Sequence, residues 1–397
     1  MTSNSIEMNA PQTIRLRGLK APEAAALVRV GDLDAHPIVD AARDADILRI
    51  DVVETVDVEA GHQLDEPGAV RISHTGPSPF FASDIDLVLR SNGIRTLYIT
   101  GDPLAASRLA YDAVRKGYDP VMVRSSRTET DMFGLRLPQM SSAEFSGLLA
   151  GTTPGPRNWH PDVKARRMAR PFAERLVPSR TALILIDVLN DFCIEGGVIS
   201  QTNARMPKVT DALPRIRELL EGAREAGTHI IHVQAIYGPM FRGQGSPYRF
   251  PSDLTREGAV WCASAAVIDG ETPVFDPDMT EVCREGSWGA DFVDGLAPLP
   301  GETVIRKHRY SAWLDTALDG ELRRHGIETV VLAGVTTNCC VESTARDLAM
   351  CDYDMIVAED CVAVKDLVLH LHEASLEQIR TYFGIVTPSR RILDTWL

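Results

Sequence analysis

Residues 182–187 read ALILID, and this stretch decides the fold class. Five consecutive apolar residues closed by a carboxylate are typical of a strand that is buried on both faces, as strands of parallel sheets are. A segment with helical periodicity follows at 209–227, and a further apolar strand follows at 229–234. This alternation predicts an α/β fold, a doubly wound parallel sheet with helices on both faces.

The same alternation continues to the carboxyl end of the chain. Strands are predicted at 303–306, 328–333 and 353–358, and helices at 314–326, 338–351 and 369–383. A chain of 397 residues exceeds the size at which one core usually keeps growing, so two domains are expected. The Gly-, Pro- and Arg-rich stretch 151–178 is predicted to be a linker between a smaller α/β domain at 1–150 and the main domain at 179–397.

The amino-terminal domain shows weak sequence similarity to the main domain. Matching pairs are Gly93-Ile94 with Gly326-Ile327, Gly101 with Gly334, Tyr118-Asp119 with Tyr353-Asp354, and Ile50-Asp51 with Ile186-Asp187. His74 then stands where Lys307 stands, and every cysteine lies at or beyond Cys193. We interpret the first domain as a degenerate, non-catalytic copy with a structural or regulatory role. The alternative is that any two strand-helix-strand units share a few such residues.

Composition excludes several classes of partner. The formal net charge of -14 opposes binding to nucleic acid or to an anionic membrane surface. The amino terminus lacks the apolar stretch of a secretory signal, and the longest apolar runs are too short to span a bilayer. Seven cysteines without an export signal indicate reduced thiols, and therefore a cytoplasmic protein.

Three residues whose side chains can act in catalysis follow predicted strands of the main domain: Asp187, Lys307 and Cys340. Ligands of open parallel sheets bind at the carboxyl ends of the strands, so the three are expected to meet. Cys340 falls in the first turn of a helix that Thr337 or Asn338 can cap, where the helix dipole and a nearby ammonium would lower the thiol pKa. Taken singly, each has a structural explanation: a turn cap, a solvated lysine and a buried thiol.

Three segments carry a family resemblance. Residues 185–187 with 190–192, residues 307–311 (KHRYS) and residues 334–347 (GVTTNCCVESTARD) resemble the isochorismatase-like cysteine hydrolase family, over about 179–397. The resemblance implies that Cys340, rather than Cys339, is the nucleophile of a Cys-Lys-Asp triad. It also implies a cis peptide between Val335 and Thr336, and an oxyanion hole formed by the backbone amides of Thr336 and Cys340.

Within that family, residues 286–289 (GSWG) and the turn at 300–302 look most like ureidoacrylate and biuret-type amidohydrolases. The resemblance implies a small amide or ureido substrate, a thioester intermediate and a homo-oligomer, with no cofactor. No metal is expected, because residues 233–240 (VQAIYGPM) lack the ligands that nicotinamidases carry after their second strand. The expected pocket residues are Asn190, Trp288, Tyr310 and Trp313. The alternative is a catalytically idle ligand-sensing or scaffold protein that retains the fold.

Overall fold

The computed structural model describes most of the chain in two separate units. The described residues are 25–30, 37–45, 47–54, 62–66, 69–74, 78–81, 83–124, 137–150, 168–197, 200, 207–237, 282–365 and 369–397. The units comprise residues Met1–Ala169 and Arg170–Leu397. Of the stretch taken as a linker, 151–167 lies outside the described residues, and Phe172–Arg175 forms a short helix of the second unit. Among the described helices, none combines the length and apolarity that crossing a membrane requires.

The second unit is built on a six-stranded parallel sheet. Its strands are β8 (Thr181–Ile186), β9 (His229–Ala235), β10 (Thr303–Lys307), β11 (Thr329–Val335), β12 (Asp354–Ala363) and β13 (Ile385–Thr387). Their order across the sheet is β10-β9-β8-β11-β12-β13, and every neighbouring pair is parallel. The chain therefore starts at the centre, winds to one edge and returns to wind to the other, which confirms the predicted doubly wound fold.

Alternating residues of β8 enter two different hydrophobic clusters. Ala182, Ile184 and Ile186 pack on one side of the sheet, whereas Leu183 and Leu185 pack on the other. Successive side chains of a strand point to opposite faces, so a strand covered on both faces must be apolar throughout. This is why residues 182–186 of β8 are all apolar.

Helices cover both faces of this sheet. One face carries Pro207–Ala226 and Ser389–Trp396, and the other carries Leu318–Arg324, Glu342–Met350 and Leu369–Gln378. The helix predicted from residue 314 begins at Leu318 instead. Asp315 has a positive φ of 53°, and the Thr316 hydroxyl bonds to the Ala312 carbonyl and receives the amide of Leu318, so a turn precedes the helix.

The first unit has a sheet of the same strand order with one additional edge strand. Its strands are β1 (Ala25–Val30), β2 (Leu48–Glu54), β3 (His62–Glu66), β4 (Ala69–His74), β5 (Thr96–Gly101), β6 (Asp119–Arg124) and β7 (Gln139–Ser141). The order is β3-β4-β2-β1-β5-β6-β7, and only β3 runs antiparallel to its neighbour. Its helices are Pro37–Asp44, Ile85–Ser91, Pro103–Arg115 and Ser142–Leu149.

Glycine occupies one equivalent position in both sheets. Gly101 and Gly334 have positive φ values of 130° and 116°, and each pairs with the last residue of the central strand, Val30 or Ile186. A Cβ on either glycine would lie 2.1 Å from the carbonyl oxygen of that residue, a distance no side chain tolerates.

These matches favour the interpretation of the first unit as a copy, which stays a prediction. One of the proposed pairs does not hold. Ile50-Asp51 lies in the second strand of the first unit, β2, whereas Ile186 ends the first strand of the second unit, β8. By strand order the counterpart of Ile186 is Val30.

A partly buried ion-pair cluster links the helix Pro207–Ala226 to the sheet. The Arg224 guanidinium bonds to both carboxylate oxygens of Glu302 at 2.7 and 2.9 Å, and His232 Nε2 lies 2.9 Å from Glu302 Oε2. Burial opposes the charged carboxylate. Hydrogen bonds from Arg224, the Leu299 amide and His232 outweigh it, however, and lower the pKa of Glu302 from 4.5 to about 2.

We therefore expect Glu302→Gln to lower the free energy of unfolding at neutral pH by about 1–2 kcal/mol, which is less than 1.36 kcal/mol for each unit of pKa shift because solvent screens the partly exposed carboxylate. Because the folded pKa is the lower one, this stabilisation is present above pH 4.5 and is lost as the pH falls towards 2. Denaturant unfolding at a series of pH values measures the difference. Glu285→Gln, which removes an exposed partner of Arg306, is the matched control and should change stability little. If the loss of stability in Glu302→Gln does not change with pH, the lowered pKa of Glu302 is contradicted.

Candidate active site

Three strand ends bring Asp187, Lys307 and Cys340 together. Asp187 directly follows β8, Lys307 is the last residue of β10, and Cys340 lies five residues beyond β11. Lys307 Nζ lies 2.7 Å from Asp187 Oδ2 and 3.3 Å from Cys340 Sγ. The side chains of Lys307 and Asp187 are fully buried, and Cys340 is 4% exposed. The expected meeting of the three residues is therefore observed.

The Lys307 ammonium contacts three groups. It forms an ion pair with the Asp187 carboxylate and donates hydrogen bonds to the Cys340 sulfur and to the Arg309 carbonyl oxygen, which lies 3.0 Å away. A buried lysine with these three contacts has little rotational freedom. Its position relative to the carboxylate and the sulfur is therefore set before any ligand arrives.

The backbone at Asp187 turns away from the strand direction. Its φ is 50°, in the left-handed region that aspartate tolerates better than most residues. The Asp187 amide donates to the Val233 carbonyl, and its own carbonyl receives the Leu189 amide. Backbone strain of this kind persists where the surroundings fix it, and it is concentrated at functional sites.

Cys340 lies in a wide helical turn. Residues Thr337–Val341 form a π-turn that continues into the helix Glu342–Met350, and the peptide between Val335 and Thr336 is cis, as the resemblance implied. The expected cap by Thr337 or Asn338 is wrong. The cap position is Thr336, and its side chain makes no cap hydrogen bond. The Thr337 hydroxyl contacts His372 Nδ1 at 2.9 Å and is therefore not a cap.

Burial dominates the protonation of the site. It raises the pKa of the Cys340 thiol well above its ordinary value despite the opposing effect of Lys307, and it also raises the pKa of the Asp187 carboxyl. For Lys307, burial disfavours the ammonium, but Asp187 and Cys340 outweigh it and its pKa is raised. The expectation of a lowered thiol pKa is therefore wrong. Desolvation of a buried sulfur exceeds the attraction of an ammonium already paired with a carboxylate.

Residues 181–391 match the family described as Isochorismatase domain, which is more than half of the chain. The chain belongs to the isochorismatase family. The matched residues lie entirely within the second unit.

Named relatives are similar to just over half of this chain. A ureidoacrylate amidohydrolase RutB of Methylobacterium radiotolerans is 34% identical over 223 residues, covering 55% of this chain and 80% of that protein. The RutB of Serratia proteamaculans is 33% identical over 223 residues, covering 55% and 84%. Among solved structures, an isochorismatase-like hydrolase from Alkaliphilus metalliredigens aligns with a TM-score of 0.41 and 26% identity, over 55% of this chain and 99% of that chain.

Asn190 and Trp288, two of the predicted pocket residues, lie next to each other in this isochorismatase-family chain. The Asn190 side chain has a structural role. Its side-chain amide donates to the Trp288 carbonyl at 2.9 Å, and its backbone amide donates to Asp291. The adjacent Asp191 carboxylate accepts the Cys283 amide and lies where a Cβ on Gly289 would collide with it. The segments 190–192 and 286–289, which both carry the family resemblance, are thus fixed relative to each other by these contacts. Trp288 as a whole is 53% exposed.

The other two predicted pocket aromatics are half-buried. Trp313 packs edge-on against Tyr353, with ring centroids 6.1 Å apart, and both contact the hydrophobic cluster of the Cys340 face. Tyr310 packs against the same cluster. Trp313 is thereby accounted for by core packing, and a substrate contact for any of the four residues stays a prediction.

Sequence reasoning missed Tyr237, a buried residue directly beyond β9. Its backbone amide donates to the Cys283 carbonyl, and the neighbouring Ile236 amide donates to the Lys307 carbonyl, so the segment lies beside the triad. The ring is 5% exposed, and its hydroxyl has no hydrogen-bond partner among the described residues. Burial, followed by Cys340 and Asp187, raises the pKa of Tyr237 well above its ordinary value. The hydroxyl is therefore protonated at neutral pH and can donate a hydrogen bond.

We expect Tyr237→Phe to lower kcat/KM by about tenfold, the equivalent of one lost hydrogen bond to a bound substrate. The melting temperature should not fall, because the variant removes a buried hydroxyl that has no partner in the described structure. Steady-state kinetics and thermal unfolding measure the two effects. Tyr118→Phe, whose hydroxyl bonds to Asp86 in the first unit, is the matched control and should leave kcat/KM unchanged. Equal kinetics for wild type and Tyr237→Phe would remove Tyr237 from the site.

Proposed function

We propose that the second unit, within the predicted bounds 179–397, hydrolyses a C–N bond of a small amide or ureido compound. The observation that carries the proposal is the buried Lys307 ammonium placed between the Asp187 carboxylate and the Cys340 sulfur. The names of the RutB relatives support a ureido substrate. The first unit, a degenerate copy without cysteine, takes no part in the chemistry.

The first half of the reaction forms a covalent intermediate. Cys340 Sγ attacks the carbonyl carbon while its proton passes to the Asp187 carboxylate, so no free thiolate is needed beforehand. The negative oxygen of the tetrahedral intermediate is held by the backbone amides of Thr336 and Cys340. Asp187 then protonates the departing nitrogen, the C–N bond breaks, and ammonia or an amine leaves behind a thioester.

The second half restores the enzyme. Asp187, again a carboxylate, removes a proton from a water molecule that attacks the thioester carbonyl. The C–S bond breaks, the sulfur takes the proton back from Asp187, and the acid product leaves. If the product is a carbamate, it loses carbon dioxide without further help. Lys307 stays charged throughout and stabilises whichever of its two neighbours is an anion.

We expect Cys340→Ala to lower hydrolysis by at least about 10³-fold, because the nucleophile is lost while the fold is kept. Ammonia release from a panel of ureido acids, biuret, maleamate and carbamoyl amino acids measures it. Cys339→Ala is the matched control, since it removes the half-buried adjacent thiol, and it should retain activity. Wild-type protein that hydrolyses no member of the panel, or activity that survives Cys340→Ala, would favour the idle ligand-sensing alternative.

We also expect the acid limb of kcat/KM to lie above the ordinary range of a carboxyl group. Asp187 must be ionised to accept the proton of Cys340, and burial raises its pKa, so activity is lost as the pH falls through that raised value. A pH-rate profile on the best substrate of the panel measures the limb. Activity that stays constant down to about pH 4, the ordinary pKa of aspartate, would contradict Asp187 as the proton acceptor.

A further inference from the structure

A second cluster of ligating side chains lies at the opposite end of the strands from Cys340. His229 is the first residue of β9, and Thr303 is the first residue of β10. Glu321 belongs to the helix Leu318–Arg324, and His325 directly follows it. The cluster therefore lies where the strands begin, whereas the triad lies where they end.

Three ligand atoms of this cluster converge. His229 Nε2 and His325 Nε2 lie 3.1 and 3.3 Å from the same oxygen, Glu321 Oε1, and one ligand atom from each of the three residues lies within 4.8 Å of the others. The two imidazole rings stack with their centroids 3.9 Å apart, so the more exposed His325 ring must rotate for both nitrogens to face one ion. The side chains of His229 and Glu321 are only 17% and 11% exposed, whereas that of His325 is 42% exposed.

Three polar groups converge on one oxygen of Glu321. Glu321 Oε1 accepts the Thr303 hydroxyl at 2.6 Å, lies within hydrogen-bond distance of His229 Nε2, and makes an ion-pair contact with His325 Nε2. A cation that both imidazoles and the carboxylate ligate accounts for this convergence.

We propose that His229, Glu321 and His325 bind one divalent transition-metal ion, with Zn²⁺ as the best fit. Two imidazole nitrogens and one carboxylate oxygen are an established zinc ligand set, with ligand bonds of about 2.1 Å. Ligands at that distance from a tetrahedral ion lie about 3.4 Å apart, close to the two separations seen here. The exposed side at His325 leaves a fourth position for water.

Neighbouring residues hold the carboxylate in the orientation that a metal ligand needs. Arg324 Nη1 lies 3.1 Å from Glu321 Oε2, and the Thr303 hydroxyl bonds to Oε1. Such outer contacts are typical around metal-binding carboxylates. The ion would join the helix Leu318–Arg324 to the start of β9. Inspection of histidine spacing does not reveal the site, because His229 precedes Glu321 by 92 residues.

Calorimetric titration of the metal-free full-length chain with zinc chloride tests the proposal. We expect one zinc ion per chain, with affinity weakened at least tenfold in His325→Ala. His370→Ala, which removes another exposed histidine, is the matched control and should bind as wild type does. Zinc should raise the melting temperature of the wild type and of His370→Ala, but raise that of His325→Ala much less.

Cobalt distinguishes this site from binding by cysteines. Co²⁺ bound by two histidines and a glutamate lacks the sulfur-to-metal charge-transfer absorption that thiolate ligands give. The proposal is overturned if zinc binds no more tightly than about 1 mM, if His325→Ala binds zinc as wild type does, or if the cobalt complex shows that absorption and His325→Ala leaves it unchanged.

Discussion

The buried charge of Lys307 is the constraint on which the second unit depends. An ammonium taken out of water is strongly unfavourable unless a counter-charge and full hydrogen bonding compensate it. Here the Asp187 carboxylate supplies the charge at 2.7 Å, and the Cys340 sulfur and the Arg309 carbonyl accept hydrogen bonds from the ammonium. Burial raises the pKa of the Cys340 thiol, and the attraction of an ammonium already paired with a carboxylate does not offset it. Nucleophilic attack is then coupled to proton transfer to the carboxylate.

The sheet fixes the positions of the two residues that form this ion pair. β8 and β11 are neighbours, and Gly334 lets their backbones approach closely at the point where Asp187 begins. β10 reaches the same edge through β9, whose last residue, Ala235, pairs with Lys307. The site is thus assembled from residues far apart in sequence but fixed by strand register, which a loop could not do with comparable rigidity.

Sequence patterns predicted the fold and the meeting of the triad because both follow from strong local signals. The apolar run 182–186 of β8 has few alternatives, and residues that follow parallel strands of one sheet lie at the same edge of that sheet. The pattern could not predict the thiol pKa, because the helix dipole is visible in sequence whereas the extent of burial is not. Tyr237 was missed for a related reason, since only its surroundings distinguish its hydroxyl from that of an ordinary core tyrosine.

Comparison of the two units separates what the scaffold requires from what the chemistry requires. Both keep a glycine with positive φ against the last residue of the central strand, at Gly101 and Gly334, because backbone approach at that point is a demand of the sheet. At the end of the third strand of the shared order, by contrast, the first unit has His74 and the second has Lys307. A buried ammonium needs a counter-ion, which Asp187 supplies to Lys307. The aspartate and the lysine of the second unit therefore depend on each other, whereas the sheet and its glycine depend on neither, since the first unit has both.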